Sequence, residues 1–216
     1  MLQCAPRVSF LLLRGKGIFL KERFKFLLNL RGSKSMSYDL ISYIRYEEKP
    51  DLEEQIIDFF KKYGFNILLH PKFNLLKCNG FNPVVIQKDS EFWKKVKRAP
   101  NCDVITGHEW YVRKAVGGDE EEEKYFQEKL NKFPPTETDG KFENYRIVLV
   151  NRNEITEYCT NFVFSGALIH IFYGMIEDPQ LGKDILEDQI DEFLQGVLCT
   201  NMNENFSTAI SFEGWL

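Results

Sequence analysis

Two stretches, YDLISYIRYE at residues 38–47 and YRIVLVNRNE at residues 145–154, decide how this chain is read. The first opens with a short run rich in aromatic and β-branched residues, the pattern of a strand buried on both faces, and the second contains the clearest strand of the chain. They share Tyr38 and Tyr145, Arg45 and Arg152, and Glu47 and Glu154 at a constant offset of 107 residues. Each leads into a helical pattern that ends at a glycine, Gly64 or Gly174, and then into a short apolar run. Two such units in one sheet make the split β-α-β arrangement of ferredoxin-like folds, with an internal duplication. The right-handed crossover rule then sets the helices on one face. The expected fold class is α+β.

Outward from these stretches, Asp51 and Glu54 have capping-box spacing, and Leu52, Ile56, Phe59, Phe60 and Tyr63 recur on one helical face. Residues 65–70 follow as a strand. Asn79-Gly80 between FNLLKC and FNPVVIQ predicts a tight hairpin, whose second strand Pro83 places at an edge. Residues 90–101 read as a short helix or loop, and 102–116 as a strand region broken at Gly107. Residues 119–133 form a helix with an acidic first turn, favourable at the positive end of the helix dipole, stopped by Pro134-Pro135. A helix over 156–173 is followed by a short strand at 175–177. The spacing predicts a last amphipathic helix over 183–197, with Leu186, Ile190, Phe193 and Val197 on one face and Asp184, Asp188, Asp191 and Gln195 opposite. The tail carries Phe206, Phe212 and Trp215, which predicts that it docks.

With 216 residues, 44% apolar and 28% charged, the composition is that of a folded domain and excludes disorder, collagen and coiled coil. No apolar stretch reaches the ~20 residues of a membrane helix. Residues 1–35 carry eight basic side chains and one acid, so the remainder has a net charge of −11. Three readings of this basic extension are open: translation that starts at Met36, leaving 1–35 untranslated and 36–216 as a single α+β domain, a basic arm, or a targeting peptide. Five cysteines without a C-x-x-C spacing show no zinc or redox motif, suit a reducing cytoplasm, and read mostly as small buried hydrophobes.

After the apolar helix SGALIHIFYG, the chain continues as GMIEDPQ at residues 174–180. Together with the opening Tyr38-Asp39-Leu40, this late helix, glycine, short strand and Asp178-Pro179-Gln180 resembles a loose group of uncharacterised bacterial proteins that includes immunity-like proteins of toxin systems. The match covers the two ends of residues 36–190 and supplies no catalytic residues. It implies a bacterial, cytoplasmic protein that masks a toxin.

No complete catalytic constellation is visible. His70, His108 and His170 have no ligand spacing, so no metal or cofactor is expected. His170, among apolar neighbours, reads as a core residue. His108-Glu109-Trp110 forms a polar and aromatic cluster that a kink at Gly107 would expose, with Arg45 or Arg152 as further members of the pocket. Cys102, Asp103 and His108 could imitate a thiol and base, but no oxyanion hole accompanies them. Lys94, Lys95, Lys97 and Arg98 beside Phe92 and Trp93 suit phosphates and bases. The acidic body argues against nucleic acid and for a solvated helix face. The acidic runs lack a calcium-loop pattern, and Gly15-Lys16-Gly17 lacks that of a phosphate loop.

The expected function is therefore non-enzymatic: a binding protein whose Asp184, Asp188 and Asp191 meet a basic protein partner, since complementary charge speeds association and selects partners. The alternatives are an enzyme of unassigned reaction with its pocket at His108, Glu109 and Trp110, and a small-ligand sensor.

Overall fold

The computed structural model describes residues 38–77, 80–96, 99–114, 118–134, 142–151 and 155–201, with backbone alone at 155 and 199–201. The basic extension, Asn79, Lys97, Arg98, Arg152, Glu154 and the aromatic tail lie outside these residues. Among them, seven strands form one antiparallel sheet. These are β1 (Tyr38–Tyr46), β2 (Ile67–Leu69), β3 (Gly80–Ile86), β4 (Val104–Lys114), β5 (Glu143–Asn151), β6 (Gly174–Asp178) and β7 (Lys183–Leu186). Their order is β2-β3-β4-β5-β1-β6-β7. With helices α1 (Leu52–Lys62), α2 (Glu120–Leu130), α3 (Ile155–Phe172) and α4 (Ile190–Asn201), the fold is α+β.

The alternation of side chains along β1 explains the layers. Tyr38 packs on Tyr158 and Phe162, and Tyr46 on Phe172, so the even-numbered face lies under α3. Helices α1 and α4 join this layer through Phe59 beside His170 and Phe193 beside Phe162, each pair with ring centroids 5.4 and 5.3 Å apart respectively. The odd-numbered face carries Ile41 and Tyr43 against Phe126, Leu130 and Phe133 of the α2 segment. Hence β1 is buried on both faces, as its composition requires. The expectation of helices on one face holds for α1 and α3 and fails for α2, which covers the opposite side.

The strands of the two repeat copies are neighbours, β1 antiparallel to β5 with Tyr38 opposite Asn151 and Arg45 opposite Asn144. Their following strands are not placed alike. β6 lies beside β1, whereas the corresponding place beside β5 is taken by β4, and β2 sits at the far edge.

Several local expectations are corrected. Asp51 makes no side-chain cap; its carboxylate instead accepts from Gln55. Helix α1 ends in a Schellman motif, with Gly64 N–H donating to Lys61 and Phe65 N–H to Phe60, and Gly64 at φ +87°. At the end of α3 the left-handed residue is Tyr173, φ +50°, rather than Gly174. Gly174 is needed for another reason: a Cβ there would stand 2.2 Å from the carbonyl oxygen of Tyr43 on β1. The stretch 73–77 is loop and turn, so β3 pairs with β2 across residues 70–79 instead of through a tight Asn-Gly turn. β3 is interior, but β2 ends at Leu69 opposite Val84, which leaves Pro83 at an open edge. β4 runs unbroken through Gly107. Lys183–Leu186 is strand β7, paired with β6, and the last helix begins only at Ile190.

Candidate functional site

On β4, His108 and Trp110 share the face beneath α3, and both are fully buried. Glu109, between them, projects to the other face, where it accepts a hydrogen bond from the Tyr111 hydroxyl at 2.7 Å. Arg45 also lies on that side. Its guanidinium donates to the carbonyls of Leu130 and Phe133 at 3.1 to 3.2 Å and to Asn144 at 3.4 Å, over the Phe133 ring. It satisfies carbonyls left open at the C-terminal end of α2. The anticipated pocket of His108, Glu109, Trp110 and Arg45 is thus divided by the sheet itself, and Arg152 lies outside the described residues.

The environment of His108 is set by a chain of hydrogen bonds whose polarity can be read from one end. The carbonyl of Tyr38 can only accept, so Asn151 Nδ2 donates to it at 2.8 Å. Asn151 Oδ1 then accepts from Asn161 Nδ2 at 2.6 Å, and Asn161 Oδ1 faces His108 Nδ1. Nδ1 must therefore carry the proton, leaving Nε2 as a bare acceptor without a partner among the described residues. The imidazole stacks on Phe164, centroids 4.7 Å apart, and on Trp110 at 6.0 Å. Burial lowers its pKa from 6.5 to about 4, against a smaller opposing effect of the Asn161 bond, so His108 is neutral at physiological pH. A ring so enclosed and locked has no path to a substrate. Cys102 is exposed while His108 is buried, which separates the thiol from its supposed base; Cys159 is buried as expected.

The three aspartates do not share a helix face. Asp184 lies on β7, where it binds Lys129 at 2.9 Å and Lys132. Lys129 is almost buried and also contacts Glu177 at 2.8 Å, while the hydroxyls of Tyr43 and Tyr125 donate to Glu177. Burial works against the Lys129 charge, but these carboxylates outweigh it and raise its pKa; the same bonds hold Glu177 and Asp184 low despite burial. Asp191 receives Lys62 at 2.8 Å and the Tyr63 hydroxyl, fastening α4 to α1. Of the three, Asp188 is exposed and outside these contacts. His170, taken for a core residue, is exposed and lies 3.1 Å from Glu187.

Several acids that remain outward lie at the start of α2. Asp119 caps the helix by accepting from Glu122 N–H at 2.8 Å. Glu122 leans back to Arg113 and Arg146, 3.4 and 3.3 Å away, while Glu120, Glu121 and Glu123 are exposed. Elsewhere Asp178 is buried, its pKa raised by burial, with the Tyr38 hydroxyl donating to it and Leu181 N–H closing a turn at 2.9 Å. The opening Tyr-Asp-Leu and the late Asp-Pro-Gln therefore meet in space. Among the described residues no three of His, Cys, Asp and Glu gather as a metal ion would require, and no helix is long and apolar enough to cross a membrane.

A pocket of about 300 Å³ opens beside Trp110 at the sheet edge, between the loop 70–77 and β3. The sequence pattern of these loop residues is that of a strand, which hides the approach of Phe73 to Trp110. The alternation in FNLLKC imitates a strand, and only Pro71 and Asn74 hint at turns. Compared with family models, curated proteins and solved structures, the chain has no match.

Proposed function

We propose that this chain is a non-enzymatic binding protein whose partner is a basic protein, in the manner that the resemblance to immunity-like proteins implies. The observation that carries this reading is the fate of the candidate catalytic groups: His108 is sealed in the core while Glu109 and Arg45 stand across the sheet. The recognition surface shifts from the paired Asp184 and Asp191 to the exposed Glu120 and Glu121 at the start of α2. Such a surface acts mainly on association rate and choice of partner. A ferredoxin-like core is proposed on the same footing, supported by β5 and β6 flanking β1 and running antiparallel to it, with α3 as the connection between them.

The test begins with affinity capture from the native host, followed by association kinetics of the captured partner with wild type and with Glu120→Lys/Glu121→Lys. The double reversal is expected to slow association about tenfold or more at low salt, less at high salt, and to leave the circular dichroism spectrum unchanged. A partner that is acidic, or one that binds the reversed variant equally fast, would overturn the proposal.

A further inference from the structure

Strand alternation sets the two faces of the sheet apart. Along β4 the even-numbered residues from Val104 to Trp110 are all buried, whereas Ile105 and Glu109 are half-buried and Tyr111 is 45% exposed. β5 repeats the contrast, with Ile147 and Leu149 buried and Val148 and Val150 half-buried. Cross-strand pairing extends the odd-numbered row from Ile105 to Val85 and on to Leu68 of β2, which is 44% exposed. A sheet face turned to water ordinarily carries polar residues. Here most of the outward positions are apolar, and Gly107 adds to them: a Cβ there would stand 2.4 Å from Cζ of Phe81, so the missing side chain lets that ring lie across β4. Helix α2 rests on Ile41, Tyr43 and Met175, in β1 and β6, with Val148 at its margin. Its Tyr125, bonded to Glu177, is 43% exposed, so the exposed large hydrophobic residues among the described residues, Leu68, Tyr111 and Tyr125, share one side of the sheet. Such a concentration marks an interaction surface.

Acidic groups accompany this face. Glu109 stands opposite Val150, and Val150 opposite Asp39 of β1, so two carboxylates flank one apolar residue, two strand spacings or about 10 Å apart. Glu109 accepts from the Tyr111 hydroxyl at 2.7 Å, while Asp39 Oδ1 has no hydrogen-bond partner among the described residues. The bordering cations, Arg113 and Arg146, already share Glu122.

We infer that this face of β2 to β5 receives a basic amphipathic helix of the partner, its apolar stripe on Leu68, Phe81, Ile105 and Tyr111 and its lysines or arginines toward Glu109 and Asp39. The inference rests on the basic partner proposed above and adds where, and in what form, it docks. Sheet faces are ordinarily buried by helices. Since α2 lies over β1 and β6, a helix packed beside it at the usual ~8–10 Å would lie over β4, two strand spacings from β1.

The probe is a peptide of about 18 leucines and lysines, with leucine at i, i+3, i+4 and i+7. Titrated into the full chain and followed by calorimetry and amide NMR shifts, it should saturate with Kd on the order of 1 to 10 μM at low salt. The largest shifts are expected in β3 and β4. Leu68→Ser/Tyr111→Ser and, separately, Glu109→Gln/Asp39→Asn should each weaken binding about tenfold and leave the circular dichroism spectrum unchanged. No saturation below about 1 mM, or unchanged affinity in either double variant, would overturn the inference. Shifts confined to the start of α2, with affinity lost only in Glu120→Lys/Glu121→Lys, would overturn it and leave the basic partner standing. Equal affinity for a leucine and glutamate peptide would refute the basic requirement, and that reading with it. A concentration-dependent dimer dispersed by Leu68→Ser/Tyr111→Ser would give the face to a second copy. Tighter peptide binding in Phe212→Ser/Trp215→Ser would give it to the chain's own tail, and either outcome also overturns the inference.

Discussion

His108 shows how a residue's neighbours decide its chemistry. Its imidazole is held neutral because burial penalises the cation more than the single bond to Asn161 supports it. In the unfolded chain the same group titrates near 6.5, so between that value and about 4 the unfolded state binds the extra proton. Stability from this group is complete above pH 6.5 and falls as the pH drops through that window, by about 3 kcal/mol in all. Urea unfolding midpoints measured from pH 7 to 4 should show the decline, and His108→Gln should flatten it by close to one proton while lowering stability at pH 7. An unaltered pH slope in the variant would contradict the buried neutral imidazole. The placement of Glu109 was legible without coordinates: adjacent residues of a strand point to opposite faces, so His108 and Glu109 on one β4 could not share a pocket unless Gly107 broke the strand. It does not, because Gly107 is occupied in accommodating Phe81.

At the scale of elements, α2 is fastened to the sheet by Lys129 as well as by Phe126 and Leu130. The ammonium lies between Glu177 of β6 and Asp184 of β7, 10% exposed, with both carboxylates partly screened from water. Removing one partner from such a buried cluster leaves uncompensated charge, so Lys129→Met is expected to cost about 3 kcal/mol or more, read from chemical denaturation. A loss below about 1 kcal/mol would place the cluster with ordinary surface pairs. Reversal of Asp184 should be equally disruptive, since it would set a third cation beside Lys129 and Lys132. The same cluster explains why 183–197 misled as a helix. Leu186, Ile190, Phe193 and Val197 do recur with helical spacing, but the turn through Gly182 at φ +59° returns the chain along the open edge of β6. Pairing there satisfies backbone groups that a helix would also satisfy, and brings Asp184 to Lys129 besides. Only at Leu186, whose N–H donates to Gln189 Oε1 at 3.2 Å, does the chain turn toward α4.

For the whole molecule, the sheet order predicts where stability concentrates. β1 and β5 are paired over nine residues and flanked on both sides, whereas the edge strands β2 and β7 are three and four residues long. Short edges also limit pairing with other chains. Hydrogen exchange should be slowest at the amides of β1 and β5 and faster by orders of magnitude in β2 and β7, as local opening requires fewer contacts to break. Uniform protection across the sheet would contradict this order. Composition and periodicity alone determined the α+β class, the central strands, α1, the acidic start of α2 and the apolar α3, because each depends on local side-chain pattern and on burial of one stripe or two faces. The tertiary structure decided the rest: that β4 rather than β2 lies beside β5, that α2 covers the second face, that residues 183–186 pair as a strand, and that the loop before β3 brings Phe73 against Trp110. These are contacts between residues far apart in the chain, and no local spacing encodes which of several apolar strands will pair or which charge will be enclosed.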